Sequence, residues 1–226
     1  MTIFQRVAIM VAVFALPVAN AAAETFVAGE HYKVLPVAVA PAEAGQVEVV
    51  EVFSYACIHC FSFDPLVEGW KAANPEDVRF ERLPAIFSPD WAALAQVFYT
   101  AEVLGVLDEV HTPIFNGIHV NRVDLRNPSA AAQLFEREAG VDPNEFLEVS
   151  NSFSVRSRVQ QANARGRAYR VTGVPAMVVA GKYLVDGRSA GSNNKMLEVV
   201  DFLIEKERAE ALGNQLEGAP TEQDAQ

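Results

Sequence analysis

The sequence predicts an α/β protein, a mixed sheet whose strands are separated by a long helical stretch. That expectation rests on three features. Val47 to Ser54 (VEVVEVFS) is short, β-branched and apolar at nearly every position, the pattern of a central strand buried on both faces. Residues 87–170 carry helical spacing and several helix starts instead. A second apolar strand follows, Ala176 to Ala180 (AMVVA), and a Gly181-Lys182 turn leads into Tyr183-Leu184-Val185 as a hairpin.

The elements can be justified in order. His31 to Val37 reads as an edge strand, with Pro36 limiting its pairing. Pro41 to Gly45 is a loop before the central strand. After Cys57 the pattern turns helical, ending near Asn74-Pro75, and Pro65 inside it should kink the helix. Val78 to Leu83 alternates and reads as a strand. Ser88-Pro89-Asp90 opens a helix, with Ser at the N-cap and Pro at the first position; Trp91, Leu94, Val97, Phe98, Ala101 and Leu104 recur along it. Asn127-Pro128 opens another helix, which Gly140 ends, and Asp142-Pro143-Asn144-Glu145 has the form of a capping box. A further helix is expected from about Ser154 to Arg170, then a turn at Thr172-Gly173-Val174-Pro175. Gly187 and Gly191 fall in a loop, a last amphipathic helix runs from Asn193 or Asn194 to about Ala211, and the polar stretch from Gly213 is expected to be a disordered tail.

Half of the 226 residues are hydrophobic and 21% are charged, which suits one folded core, or one domain carrying an insertion, and not a disordered chain. The formal net charge of −11 argues against nucleic-acid binding, because phosphate contacts need a basic surface. Residues 1–23 have the form of a cleavable secretory signal peptide. Arg6 precedes the apolar run Val7 to Val18, which is too short to span a bilayer comfortably, and small residues follow, with cleavage after Ala21 or Ala23. The mature chain is thus expected in the periplasm. It has just two cysteines, Cys57 and Cys60, in a C-x-x-C spacing that closes too small a loop to add much stability.

Chemistry is the better reason for them. Cys57 follows a buried strand and opens a helix, where free backbone N–H groups and the helix dipole favour a thiolate. Cys60 lies one turn on, close enough to bond with it. His59 between them, when partly protonated, would favour the thiolate further. A metal needs more ligands than one C-x-x-C supplies, and His31, His111 and His119 are scattered in sequence. Glu51, six residues before Cys57 and flanked by apolar positions, is expected to be buried; a buried acid without a partner has a raised pKa and can carry protons. Trp91, Phe98 and Tyr99 read as packing residues, Phe61 and Phe63 as either groove or core, and Arg165-Gly166-Arg167 as a solvated helix face.

Strand, C-x-x-C, helix, helical insertion, Gly-Val-Pro, hairpin and helix together resemble the DsbA family of thiol:disulfide oxidoreductases over residues 26–207, most closely at Phe53-Ser54-Tyr55-Ala56-Cys57-Ile58-His59-Cys60. The resemblance implies a thioredoxin-like fold with an inserted helical domain: residues 24–86 and 171–211 would form the thioredoxin-like domain, 87–170 the insertion and 212–226 a flexible tail. It implies Cys57 as nucleophile, Cys60 as resolving thiol of a redox-active Cys57–Cys60 disulfide, and Glu51 as the family's buried acid. Val174-Pro175 matches the family's cis-proline loop, where the Val174 backbone would pair with a substrate strand. It further implies oxidation of cysteine pairs in reduced exported polypeptides by a monomer that needs no cofactor, with reoxidation by a DsbB-type membrane quinone reductase. The family itself illustrates the low-pKa cysteine and oxidising disulfide, so that direction comes with the resemblance and not from the residues alone. This chain departs from the family at Ile58, where Pro is common; the dipeptide inside C-x-x-C tunes redox poise. A disulfide reductase or isomerase on the same fold, and a non-catalytic binding or chaperone module, are the alternatives the residues leave open.

Overall fold

A computed structural model describes residues 25–41, 45–73 and 77–217. The signal-peptide expectation, the middle of the 41–45 loop, the Asn74-Pro75 helix end and residues 218–226 lie outside the described residues.

Among the described residues five strands form one sheet in the order β1-β5-β4-β2-β3: β1 (Lys33–Val34), β2 (Val47–Phe53), β3 (Val78–Pro84), β4 (Ala176–Val179) and β5 (Tyr183–Asp186). β2 is central. It pairs parallel with β3 on one side and antiparallel with β4 on the other, and its residues from Glu48 onward are buried, as the near-continuous apolar run requires. The parallel β2–β3 pair needs a crossover, which α1 (Ile58–Ala73) supplies. β1 is shorter than the pattern His31 to Val37, because Pro36 has no N–H for the ladder; the Leu35 N–H still reaches the Lys182 carbonyl at 2.7 Å.

Five helices separate β3 from β4: α2 (Pro89–Leu104), α3 (Leu107–His119), α4 (Pro128–Ala139), α5 (Pro143–Ser150) and α6 (Phe153–Ala168). Their starts follow the sequence signals. Ser88 Oγ accepts the Trp91 N–H, Asn127 Oδ1 those of Ser129 and Ala130, and Asp142 Oδ1 those of Asn144 and Glu145. The reciprocal pair of a capping box forms elsewhere, at Asp186 and Ser189, where it starts the one-turn helix α7 (Gly187–Ala190) in a stretch expected to be loop. The last helix, α8 (Asn193–Glu217), continues past Ala211 through Gly213; the good helix formers around that glycine outweigh its cost of about 1 kcal/mol.

Two apolar cores flank the sheet. Val49, Met177, Val179 and Val185 pack with α1 and α8 on one face, while Val50, Val52, Val178 and Leu184 face the side packed by α2–α6. The strands therefore alternate between two buried environments, and the C-terminal end of β2 is held from both sides. Arg165 on α6 crosses this second interface. It donates to Glu48 at 2.8 Å and to Glu81 at 2.6 Å, so it is a sheet contact and not the solvated face expected from its sequence neighbourhood.

The β4–β5 hairpin turns on Gly181, at φ +61°; a Cβ there would lie 1.9 Å from the Val39 carbonyl oxygen, and the Gly181 carbonyl accepts the Val39 N–H. Gly181→Ala should lower the unfolding free energy by about 2 kcal/mol or more in urea titration, combining backbone strain with displacement of the 39–41 segment.

Candidate active site

β2 ends at Phe53 and α1 begins at Ile58, so Cys57 occupies the N-cap position of α1. There a sulfur takes the role that Ser, Thr, Asp or Asn plays at other helix starts: Cys57 Sγ accepts the backbone N–H of Cys60 at 3.2 Å. The loop before it is tied locally. The Cys57 N–H reaches the Ser54 carbonyl at 3.0 Å, and the Ala56 N–H reaches Ser54 Oγ at 3.2 Å. Both cysteines are free thiols in this structure.

The two sulfurs are not equivalent. Cys57 is half-exposed and its pKa is lowered to about 6. The hydrogen bond from the Cys60 thiol lowers it most, burial opposes, and the Cys60 and His59 N–H groups add to the lowering, followed by the charge of His59. His59 itself is exposed, and its imidazole is a smaller influence than the helix end it sits on. Cys60 is fully buried, and that burial pushes its thiol far above the usual range.

On the other side of Cys57, Sγ lies 3.6 Å from the carbonyl oxygen of Val174, within sulfur hydrogen-bond range. The Val174–Pro175 peptide bond is cis. This loop and His59 border a cleft of about 540 Å³ that Lys33, Asp186 and Arg188 also line. Ile58 stands at the surface, 52% exposed.

Glu51 is 1% exposed, and burial raises its carboxyl to about pH 7 although Arg82 pulls the other way. It is not the partnerless acid its apolar neighbours suggested. In the parallel register Glu51 stands opposite Arg82, whose Nε donates to Glu51 Oε2 at 3.0 Å. The same guanidinium donates to Asp64 at 3.2 Å and to Glu68 at 2.6 Å, both on α1. Asp64 also accepts from His111 Nε2 at 3.0 Å. A carboxylate can only accept, so Nε2 carries the proton and Nδ1, 2.7 Å from the Tyr55 hydroxyl, accepts from it. Burial holds the His111 imidazole below its usual pKa, against the pull of Asp64.

Comparison with known proteins fits this arrangement. The family model described as a DSBA-like thioredoxin domain matches residues 70–196. The thiol:disulfide interchange protein DsbA of Pseudomonas aeruginosa is 42% identical over 191 residues, covering 84% of this chain and 90% of the relative. That of Azotobacter vinelandii is 43% identical over 181 residues, covering 80% and 84%. This chain belongs to the DsbA family. The crystal structure of P. aeruginosa DsbA superposes with a TM-score of 0.79 at 42% identity, covering 82% of this chain and 96% of that one. The oxidoreductase DsbA of Xylella fastidiosa gives 0.76 at 37% identity, covering 81% and 98%. The chain is thus a thiol:disulfide oxidoreductase of thioredoxin-like fold with a helical insertion.

Of the residues singled out by sequence, the fold brings Cys57, His59, Val174 and Pro175 together at the cleft, with Cys60 buried directly beneath Cys57 and Glu51 buried on the central strand. Phe63 is core, and Phe61 stacks on His119 at a centroid distance of 5.0 Å. His111 and His119, scattered in sequence, both reach Tyr55. Sequence reasoning passed over Asp64, Arg82 and Tyr55. Arg82 had left a trace, since it holds the strand parity of Val78 and Phe80, where an apolar residue is expected. Asp64 left a similar one, a carboxylate one turn after Cys60 with Phe63 and Val67 beside it.

A lowered thiol pKa has a fixed sign in stability. Cys57 is ionised in the reduced folded protein between about pH 6 and the unfolded value of 9, so the unfolded chain binds more protons there. Cys57 should add stability to the reduced protein as pH rises from 6 to 9, a contribution lost as pH falls through 6, while Glu51, raised to about 7, contributes the opposite slope up to pH 7. Urea titrations across that range should show the stability of reduced wild type rising relative to that of Cys57→Ser, in which only the Glu51 contribution remains of the two.

Proposed function

We propose that this DsbA-family enzyme works in the oxidising direction, introducing disulfide bonds into reduced exported polypeptides. The observation that carries this reading is the inequality of the two sulfurs. An N-capped, stabilised Cys57 thiolate favours the reduced dithiol, and a stabilised reduced form makes the disulfide a stronger oxidant, a rule for which the family is itself a known illustration.

The cycle follows from that inequality. In the oxidised enzyme a substrate thiolate attacks Cys57 Sγ, the exposed sulfur of the Cys57–Cys60 disulfide. The bond to Cys60 breaks and Cys60 leaves with the electron pair. Its burial favours the thiol, so it takes a proton. Glu51, whose charge acts on Cys60 and whose pKa is near 7, is the buried acid suited to supply it. The substrate's second thiolate then attacks its own sulfur in the mixed disulfide. The substrate disulfide forms, and Cys57 departs as a thiolate that the α1 N-terminus stabilises. His59 adds a further favourable charge, and the Val174 backbone beside Pro175 holds the substrate strand against Cys57.

The finer parts of the reading rest on the N-terminal pattern and on family membership. Residues 1–23 are a cleaved signal peptide, and the mature chain is a periplasmic monomer. Residues 24–86 and the segment from 171 form one thioredoxin-like domain, with 87–170 inserted. The reduced dithiol passes two electrons to a DsbB-type membrane quinone reductase. Among the described residues no helix is long and apolar enough to cross a membrane.

Refolding of a reduced, unfolded disulfide protein, run beside insulin reduction, tests the activity. Wild type should restore the client's disulfides and Cys57→Ser should not; wild type inactive in both assays, or Cys57→Ser fully active, overturns the reading. Glu51→Gln should fold and should slow exchange, by less than the roughly hundredfold that a direct proton donor supplies. It should also remove any inflection near pH 7 from the rate profile, where the Glu51 carboxyl titrates. A rate profile identical to wild type across pH removes the proton role.

A further inference from the structure

α3 presents three side chains at four-residue spacing, His111, Phe115 and His119, which lie along one face of a helix. All three meet Tyr55, two residues before Cys57. His111 Nδ1 accepts from the Tyr55 hydroxyl at 2.7 Å, and the Phe115 ring packs edge-on to the Tyr55 ring at 4.9 Å. His119 Nε2 donates to the Tyr55 backbone carbonyl at 2.8 Å. That carbonyl lies in the turn between β2 and α1, and its donor comes from another element altogether. His119 also touches the chain on the far side of the redox pair. Its ring stacks on Phe61, at 5.0 Å and 16°, and the Phe61 N–H is bonded to the Cys57 carbonyl at 3.0 Å. One imidazole thus spans the turn that carries Cys57, holding residue 55 by a hydrogen bond and residue 61 by its ring.

We propose that α3, an element of the helical insertion, is a working part of the redox centre, and that His119 is a positioning residue for Cys57 acting through the Tyr55 carbonyl. The proposal rests on the reading that Cys57 is the exchanging sulfur. The insertion does more than cover the sheet: it fixes the path of residues 55–57, and with it the approach of Cys57 Sγ to the Cys60 N–H on one side and to Val174 on the other. Small displacements of a reacting group are costly, which makes one hydrogen bond at this carbonyl matter to rate. His111 seats the Tyr55 ring from below and joins it, through Asp64 and Arg82, to Glu51.

Two variants separate positioning from packing. His119→Phe keeps a ring for Phe61 and loses the donor; His119→Gln keeps a donor and loses the ring. The reduced proteins are titrated by thiolate ultraviolet absorbance, and the oxidised proteins are timed against a reduced cysteine-containing peptide, with melting temperatures recorded. His119→Phe should slow exchange about five- to tenfold, the size of one lost hydrogen bond, and raise the thiolate midpoint, while His119→Gln returns both towards wild type. Wild-type rate and midpoint in His119→Phe overturn the proposal, as does equal impairment of the two variants. Should His119→Phe fail to fold, His119→Gln decides alone: near wild-type exchange supports the proposal and strong loss overturns it. Cys57→Ser is timed in parallel. Activity there sinks the assignment of Cys57 itself, whereas an inactive Cys57→Ser beside an unimpaired His119→Phe sinks the clamp alone.

Discussion

The hydrogen bond from the Cys60 N–H to Cys57 Sγ, 3.2 Å long, joins the fold to the chemistry. It exists because a central strand stops at Phe53 and a helix starts at Ile58, leaving a cysteine at the N-cap. The capping sulfur is better as an anion, since it then accepts charge-assisted bonds from N–H groups that the helix cannot satisfy itself. The second cysteine falls one turn on, inside the core, where an anion is disfavoured. The asymmetry of the pair therefore follows from strand, turn and helix geometry, which also sets the Cys60 thiol to donate to Cys57, the largest lowering influence on its pKa, with the N–H groups next and His59 a lesser influence. Position in the sheet makes the arrangement rigid, because β2 is hydrogen-bonded on both edges and covered on both faces.

Behind the cysteines the protein tolerates a cluster of charge, buried at Glu51, Asp64 and Arg82 and half-exposed at Glu68. Glu51, Asp64 and Glu68 converge on Arg82, and a planar guanidinium with several donors suits such a role better than an ammonium would. Such a cluster is poor evidence for stability, since desolvating it costs as much as its pairing returns. Its effect is on protonation: it holds Glu51 near pH 7, although burial alone would carry the carboxyl higher. The cluster reaches Tyr55 through Asp64 and His111, so the acid behind the cysteines and the loop in front of them share one network.

Much of the fold could be read from local pattern. The apolar run Val47 to Phe53, the Ser88, Asn127 and Asp142 helix starts and the Gly181 turn are signals contained within a few residues, and each formed. The redox pair was legible for the same reason, because its strand-to-helix setting is continuous in sequence. What escaped were relations between distant segments. Arg82 becomes a partner of Glu51 only through the β2–β3 register, and the two histidines of α3 become neighbours of Tyr55 only once the insertion folds back over the loop. Arg165 was misread in the same way, since nothing in its own helix says that this face meets Glu48 and Glu81. Ile58 was legible as a departure, and its exposed position puts the change at the surface beside Cys57 and not in the packing of the helix.

The account stands on the claim that the fold stabilises the reduced pair through Cys57. Equilibrating the Cys57–Cys60 couple with glutathione buffers of known composition, and trapping the thiols at equilibrium, measures that claim directly. Glutathione should reduce the disulfide even in buffers dominated by oxidised glutathione; a disulfide that persists in buffers dominated by reduced glutathione overturns the claim.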